Sequence, residues 1–281
     1  MFTPMIKYIK RKLQKRHLKK TFQEYGSSLK IYDLPSLGEI SYAQWDHPFD
    51  KPKDITEANV AFYRSLTHPG SMVIDIGAHT GDTTVPMALA IGKEGLVLAL
   101  EPNPYVFKVL ERNATLNNKL ANIEPLCAAA TAEAGTFTFN YSDASFCNGG
   151  FLSEIENQKH RHSYTLDIQG VELEKLLLDE YIDVLPNLTL IKIDAEGYDK
   201  EILKTIPNIL YDYRPNLMVE CYKRLSKEER FELYDVLDNF GYDIYYLENF
   251  EMGGERQKLE KANMLDRRHF EILALPKQQH R

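Results

Sequence analysis

The apolar residues of this chain fall into short blocks separated by amphipathic stretches. "MVIDI" (72–76), "LVLAL" (96–100), "LTLIKID" (188–194) and "NLMVE" (216–220) are nearly continuous apolar runs, the pattern of strands buried on both faces. Helical sequence follows each: about 81–91, then "YVFKVLERNATLNN", 199–205 and 226–239. "NIEPLC" adds a third strand in the first half, and "DIYYL" and "FEILAL" add two near the end. These last two lack an intervening helical pattern and predict a final antiparallel pair. The alternation predicts an α/β fold, a mostly parallel sheet with helices on both faces.

Two regions break the alternation. Residues 21–55 are aromatic and interrupted by Pro35, Pro48 and Pro52, so "YAQWDHPFDKPKD" reads as a packed loop or lid. Its Trp45 and tyrosines read as core by default, with stacking on a sugar as the second option. A helix is predicted from a cap at Asp54 or Thr56 to about Leu66, stopped by "HPG". An insertion occupies about 130–188, with strands at "GTFTFN" and "SYTLDI" and a helix at "GVELEKLLLDEY". Between them "YSDASFCNGGFLSEIENQKHRH" has no periodicity and reads as a mobile loop. The expected organisation is a basic arm with an aromatic region over 1–55, then one domain over 56–281.

Charge changes the picture at the N-terminus. The chain has 281 residues and a net charge of -7, yet residues 1–20 hold eight Lys and Arg and no acid, so the remainder carries -15. Ile6, Ile9 and Leu13 sit at near-helical spacing. Such a segment suits a solvated or oligomer-packing helix, or contact with an anionic membrane face. The acidic body argues against nucleic acid as a partner. No apolar run reaches the ~20 residues of a membrane span, and the positive N-terminal stretch lacks the apolar block expected of a secretion signal. Cys127, Cys147 and Cys221 are too few and too scattered for a disulfide framework or a zinc site. The expectation is a cytoplasmic protein, with peripheral contact at the inner membrane face as an option.

The chemistry begins at "VIDIGAHTGDTT" (73–84), where a buried strand runs into a glycine-bracketed turn. Gly77 and Gly81 are spaced G-x-x-x-G, which is not the G-x-G-x-x-G of a dinucleotide loop. Asp82 and Thr83 stand where a phosphate loop needs Lys and Ser or Thr, and an acid there repels phosphate. Glu101 ends the next strand, where a carboxylate suits the paired hydroxyls of a ribose. A ribose-bearing ligand bound without a pyrophosphate contact fits, and S-adenosylmethionine is one.

"VIDIGAHTGDTT", "LALEPNPYVFKVLERNATLN" and "LIKIDAEGYDKEIL" resemble the FkbM-type family of S-adenosylmethionine-dependent methyltransferases over about residues 72–222. The resemblance implies a seven-stranded class I methyltransferase fold with an antiparallel last strand, and O-methylation of sugar or polyketide hydroxyls. It makes Asp75, Gly77, Ala78 and Gly81 the methionine-side loop and Glu101 the ribose ligand. Pro102, Asn103, Cys127 and Ala128 flank the adenine. The sequence departs from the family at His79, where relatives carry asparagine, and at Asp199, where glutamate is usual. His79 retains hydrogen-bonding capacity toward the cofactor.

On the acceptor side, "KIDAEGYD" places Lys192, Asp194 and Glu196 on one face if the strand stays extended to its tip. Glu220 ends the neighbouring strand. Asp194, Glu196 and Glu220 are the candidate catalytic carboxylates, to hold a hydroxyl, to take its proton, or to share a divalent cation. His160 and His162 flank Arg161 in the irregular loop and are candidate acceptor contacts. The expected reaction is O-methylation of a sugar, glycan or glycosylated metabolite. An NAD- or nucleotide-sugar-dependent oxidoreductase and a non-catalytic cofactor-binding scaffold are the rival readings.

Overall fold

The structure is a computed structural model that describes residues 19–147, 150–152, 164–252, 254 and 256–278. The N-terminal arm through residue 18 and the segment containing His160, Arg161 and His162 lie outside the described residues.

The chain opens with a hairpin, β1 (Ser27–Leu34) and β2 (Gly38–Trp45), and a helix, α1 (Glu57–Arg64). The alternating units follow as β3 (Met72–Ile76), α2 (Thr84–Ile91), β4 (Leu96–Leu100), α3 (Pro104–Leu116) and β5 (Ile123–Leu126). The insertion contributes β6 (Ala129–Thr131), β7 (Gly135–Tyr141), β8 (Phe151–Leu152), β9 (Tyr164–Glu172) and α4 (Leu173–Glu180). Alternation resumes with β10 (Leu188–Ile193), α5 (Asp199–Lys204), α6 (Pro207–Asp212), β11 (Asn216–Cys221) and α7 (Lys227–Asn239). The chain ends in β12 (Tyr242–Leu247), β13 (Gln257–Lys258) and β14 (Phe270–Pro276).

The main sheet runs β13-β12-β14-β11-β10-β3-β4-β5. Five neighbours, β11 through β5, are parallel, and β14 inserts antiparallel between β11 and β12. The expected sheet is therefore present, with the two-residue β13 added at one edge. Strand order reverses between β3 and β10, which puts the ligand crevice of an open α/β sheet beyond their carboxyl ends. Alternate residues of β3 feed opposite layers. Met72, Ile74 and Ile76 pack with α4 to α7, whereas Val73 packs with α1, α2 and the hairpin.

Three expectations change in detail. Residues 27–45, read as part of a loop, pair as an antiparallel hairpin around Gly38, which adopts the left-handed φ of 76°. Asn113 and Asn117 of and beside α3 receive the backbone N–H groups of Ala43 and Ser41, tying β2 to the sheet layer. The helix after β3 starts at Thr84 rather than near 81, because Gly77, His79 and Gly81 all have positive φ and no helix can run through them. The segment Gly170–Glu172 is strand, not helix, since it pairs in parallel with β6. Thr56 caps α1 as expected, accepting from the Asn59 N–H. All three cysteines are free, and among the described residues no helix is long and apolar enough to cross a membrane.

Candidate functional site

The turn after β3 is shaped by close backbone packing. Gly77 and Ala78 both donate their N–H to the Leu100 carbonyl at 3.0 Å, locking the turn to the end of β4. Gly77 has φ 74°, and a Cβ there would lie 2.0 Å from the Asp194 carbonyl oxygen. The glycine is thus demanded by the tip of β10, a contact that the sequence reading had given to the ligand. Asp75 is fully buried and is already engaged: Thr83 and Thr84 donate to Oδ2 at 3.0 and 2.6 Å, and Lys192 Nζ stands 3.0 Å from Oδ1. It braces the turn from behind. Asp82 faces Lys53 at 2.7 Å.

Glu101 is 7% exposed at the tip of β4. The backbone N–H groups of His79 and Asn103 each donate to one carboxylate oxygen at 2.9 Å. Those two bonds hold the carboxylate in one orientation and leave acceptor capacity on both oxygens. Burial raises its pKa to about 7, against the lowering effect of the two N–H donors. Asn103 caps α3 by accepting from the Tyr105 N–H and donates to the Phe146 carbonyl at 2.7 Å, joining the insertion to this edge. His79 keeps a buried Nδ1 with no partner, and burial lowers its pKa to about 4, so the ring is neutral at ordinary pH.

The second wall comes from β10 and β11. Extension stops at Ile193, and Glu196 and Gly197 take φ values of 51° and 100°. Lys192, Asp194 and Glu196 therefore do not share one strand face as expected; the turn itself carries Glu196 to the site. Lys192, 2% exposed, lies 3.8 Å from Asp194 and donates to the Gly77 carbonyl at 3.0 Å. Asp194 and Glu196 are pushed above the usual carboxylate range, chiefly by burial. Asp199 accepts from the N–H groups of Gly197 and Glu220, pinning the turn to β11. Glu220 stands directly across from Glu271 in the β11–β14 ladder. His269 spans them, 3.4 Å from Glu220 and 3.6 Å from Glu271. Burial raises both glutamate pKa values strongly, and neighbouring carboxylates raise them further.

Two adjoining clefts result. One, about 800 Å³ with the open solvent at its mouth included, is lined by apolar groups such as Ile76, Val106, Ala128 and Phe139 together with Glu101. The other is lined by Lys53, Asp82, Lys192, Glu251 and Glu271 among others. Gly77, His79, Glu101, Cys147, Asp194 and Glu196 line both.

Of the cofactor candidates, Gly77, His79, Glu101, Pro102, Asn103 and Ala128 line the first cleft. Asp75, Ala78, Gly81 and Cys127 support it from outside the lining: Ala78 packs on Ala99 and Leu110, and the Cys127 thiol faces the Pro102 carbonyl. Glu220 is set back from both clefts behind Glu271. Trp45 packs edge-on against His79. Sequence reasoning missed Glu271, His269, Tyr141 and Phe146. Glu271 is visible only once β14 is known to pair with β11. Among the described residues, no group of three or more His, Cys, Asp or Glu is arranged to hold a metal ion.

The residues fit S-adenosylmethionine. Glu101 is oriented as a paired acceptor, His79 offers an unpartnered ring nitrogen, and the cleft between them is apolar.

The chain is similar to a methyltransferase of Sordaria araneosa, sdnD, at 24% identity over 193 residues, covering 61% of this chain and 73% of that protein. Among solved structures it is similar to an FkbM methyltransferase of Methylobacillus flagellatus, at 15% identity and a TM-score of 0.44, covering 76% of this chain and 50% of the other. It is also similar to an S-adenosylmethionine-dependent O-methyltransferase of Thermotoga maritima, at 11% identity and a TM-score of 0.42, covering 90% and 79%. The profile of the FkbM methyltransferase domain matches residues 75–244, more than half of the chain, which sets the oxidoreductase reading aside. The chain belongs to the FkbM family of methyltransferases.

Proposed function

We propose that the protein transfers a methyl group from S-adenosylmethionine to a hydroxyl of a sugar, glycan or glycosylated metabolite. The observation that carries this reading is the shared wall: an apolar cleft ending at Glu101 meets a charged cleft at Asp194 and Glu196. When bound, the cofactor supplies an electrophilic methyl group on a sulfonium. Glu101 holds the ribose, its position fixed by the His79 and Asn103 N–H groups. Gly77 and Asp194 bring the two strand tips into backbone contact, so donor and acceptor sites adjoin without an intervening side chain.

Alignment of the reacting atoms supplies most of the rate, since positioning contributes roughly 7–11 kcal/mol. Asp194 accepts the hydroxyl proton, worth about 10²–10⁴-fold. Its raised affinity for a proton suits that task, and Lys192 holds the carboxylate in place. Glu196, on the same turn, orients the acceptor. Water is excluded by the apolar groups of the insertion, Phe139, Tyr141 and Phe146.

The test is transfer from methyl-labelled S-adenosylmethionine to a panel of mono- and oligosaccharides, with the product's linkage read by mass spectrometry and NMR. Label on an ether oxygen supports the proposal. Label found only on carbon or nitrogen acceptors would refute it.

A further inference from the structure

Beside the acceptor cleft lies a set of cations that the site does not use. Arg230 of α7 is 6% exposed, and its guanidinium donates to Cys221 Sγ at the end of β11, 3.3 Å away, and to backbone carbonyls on either side. It reaches the carbonyls of Tyr222 and Leu225 at 3.2 Å, and those of Met264 and Arg267 at 3.1 and 3.0 Å, with a further bond to the Arg268 carbonyl. A buried guanidinium satisfied by carbonyls holds the two loops side by side. Lys223, Arg224, Lys227, Arg267 and Arg268 thereby share one rim, all but the partly buried Arg267 exposed.

Among the described residues no carboxylate pairs with Lys223, Lys227, Arg267 or Arg268 within 4 Å. Lys223, Lys227 and Arg267 instead lie over the rings of Tyr222, Phe231 and Tyr246. Two nearby acids are engaged locally: Glu229 accepts the Ser226 N–H, and Asp266 accepts from Asn263. Clustered like charges repel one another unless an anion joins them, and this chain is acidic overall.

The rim borders the acceptor cleft. Lys223 and Arg224 act on Glu196, and Tyr222 hydrogen-bonds it. His269 follows Arg268 directly and faces Glu271. Glu196 and Glu271 both line the charged cleft.

We propose that this rim binds a phosphate or diphosphate group on the acceptor, so that the substrate is a phosphorylated sugar conjugate. The inference rests on the hydroxyl-acceptor reading above. The polarity orients such a molecule: the carboxylates inside the cleft repel the anion and receive the neutral hydroxyl, while Lys and Arg at the mouth hold the phosphoryl oxygens. Arg268 is suited to paired N–H contacts with them, while Arg267 is held on the Tyr246 ring and donates to Gln257.

The experiment titrates inorganic pyrophosphate into the full chain at low ionic strength by calorimetry, with wild type, Lys223→Glu/Arg268→Glu and Lys223→Arg/Arg268→Lys. S-adenosylmethionine affinity is measured on each. Wild type should bind pyrophosphate, the charge-reversed variant should bind at least about tenfold more weakly, and the charge-conserving variant should stay near wild type. S-adenosylmethionine affinity should be the same in all three. No pyrophosphate binding by wild type, or equal binding by the reversed variant, would overturn the proposal. So would capture of phosphatidylserine vesicles without pyrophosphate binding, which would make the rim a membrane contact. Loss of S-adenosylmethionine binding by wild type would instead sink the underlying methyltransferase chemistry and leave the rim to be judged by pyrophosphate alone.

Discussion

Replacing Lys192 by Met tests the electrostatic joint between β3 and β10. The ammonium lies 3.0 Å from Asp75 and 3.8 Å from Asp194, with 2% and 0% exposure at Lys192 and Asp75. It also donates to the Gly77 carbonyl. Met keeps the stem and deletes the charge, leaving Asp75 buried with only the two threonine hydroxyls for compensation. Removing one member of a buried pair costs about 3–5 kcal/mol. The surviving hydroxyl bonds place the expected value near the lower end, about 3–4 kcal/mol. At roughly 2–4 °C per kcal/mol, the melting temperature should fall by roughly 6–16 °C. Urea unfolding gives the free energy, and the double variant Lys192→Met/Asp75→Asn supplies the control. Removing the stranded charge should recover at least half of the loss, a coupling the single variants cannot mimic. A cost under about 1 kcal/mol for Lys192→Met, or plain additivity in the double variant, would refute the reasoning.

Further outcomes follow from the same geometry. Glu101 has a pKa raised by burial to about 7, so affinity for the cationic cofactor should rise with pH through 7 and flatten above it, measured by calorimetry from pH 6 to 8. The sign for stability is opposite: the folded protein without cofactor holds this proton more tightly than the unfolded chain, so Glu101's contribution to stability falls as pH climbs from 4.5 toward 7. Asp194→Asn should lower kcat by about 10²–10⁴-fold while cofactor affinity changes little, and an unchanged kcat would remove Asp194 as the base. Thr56→Ala deletes the cap of α1 and should cost about 1 kcal/mol in urea unfolding, with no effect on cofactor binding.

The alternating units were legible because both periods are strong. Fully buried strands such as Met72–Ile76 are apolar without interruption, and the helices between them carry amphipathic sequence or, for α2, are apolar throughout. The place of Glu101 beside the first turn was legible because it follows the apolar run of β4, the parallel neighbour of β3. The hairpin over 27–45 was missed because Pro35, in its turn, and Pro48 and Pro52, just beyond it, drew the whole stretch toward a loop reading. Asp75 illustrates a different limit. Its position pointed to the cofactor, yet Thr83 and Thr84 donate to Oδ2 and Lys192 stands against Oδ1, and a partner as distant in sequence as Lys192 does not show in a local motif. Glu271 and the Arg230 clamp depend likewise on long-range pairing, in which a residue's chemistry is decided by what the sheet places opposite it.

The measurement that tests the central claim most directly is calorimetric titration of S-adenosylmethionine and S-adenosylhomocysteine into wild type and Glu101→Ala, beside NAD. Two lost hydrogen bonds to a charged acceptor, each worth about 1.5–3 kcal/mol at full strength, predict wild-type binding that the variant weakens by about 100-fold or more, and no binding of NAD. Failure of both ligands to bind the folded wild-type chain, or binding that Glu101→Ala leaves untouched, would contradict the assignment of this cleft to the methyl donor.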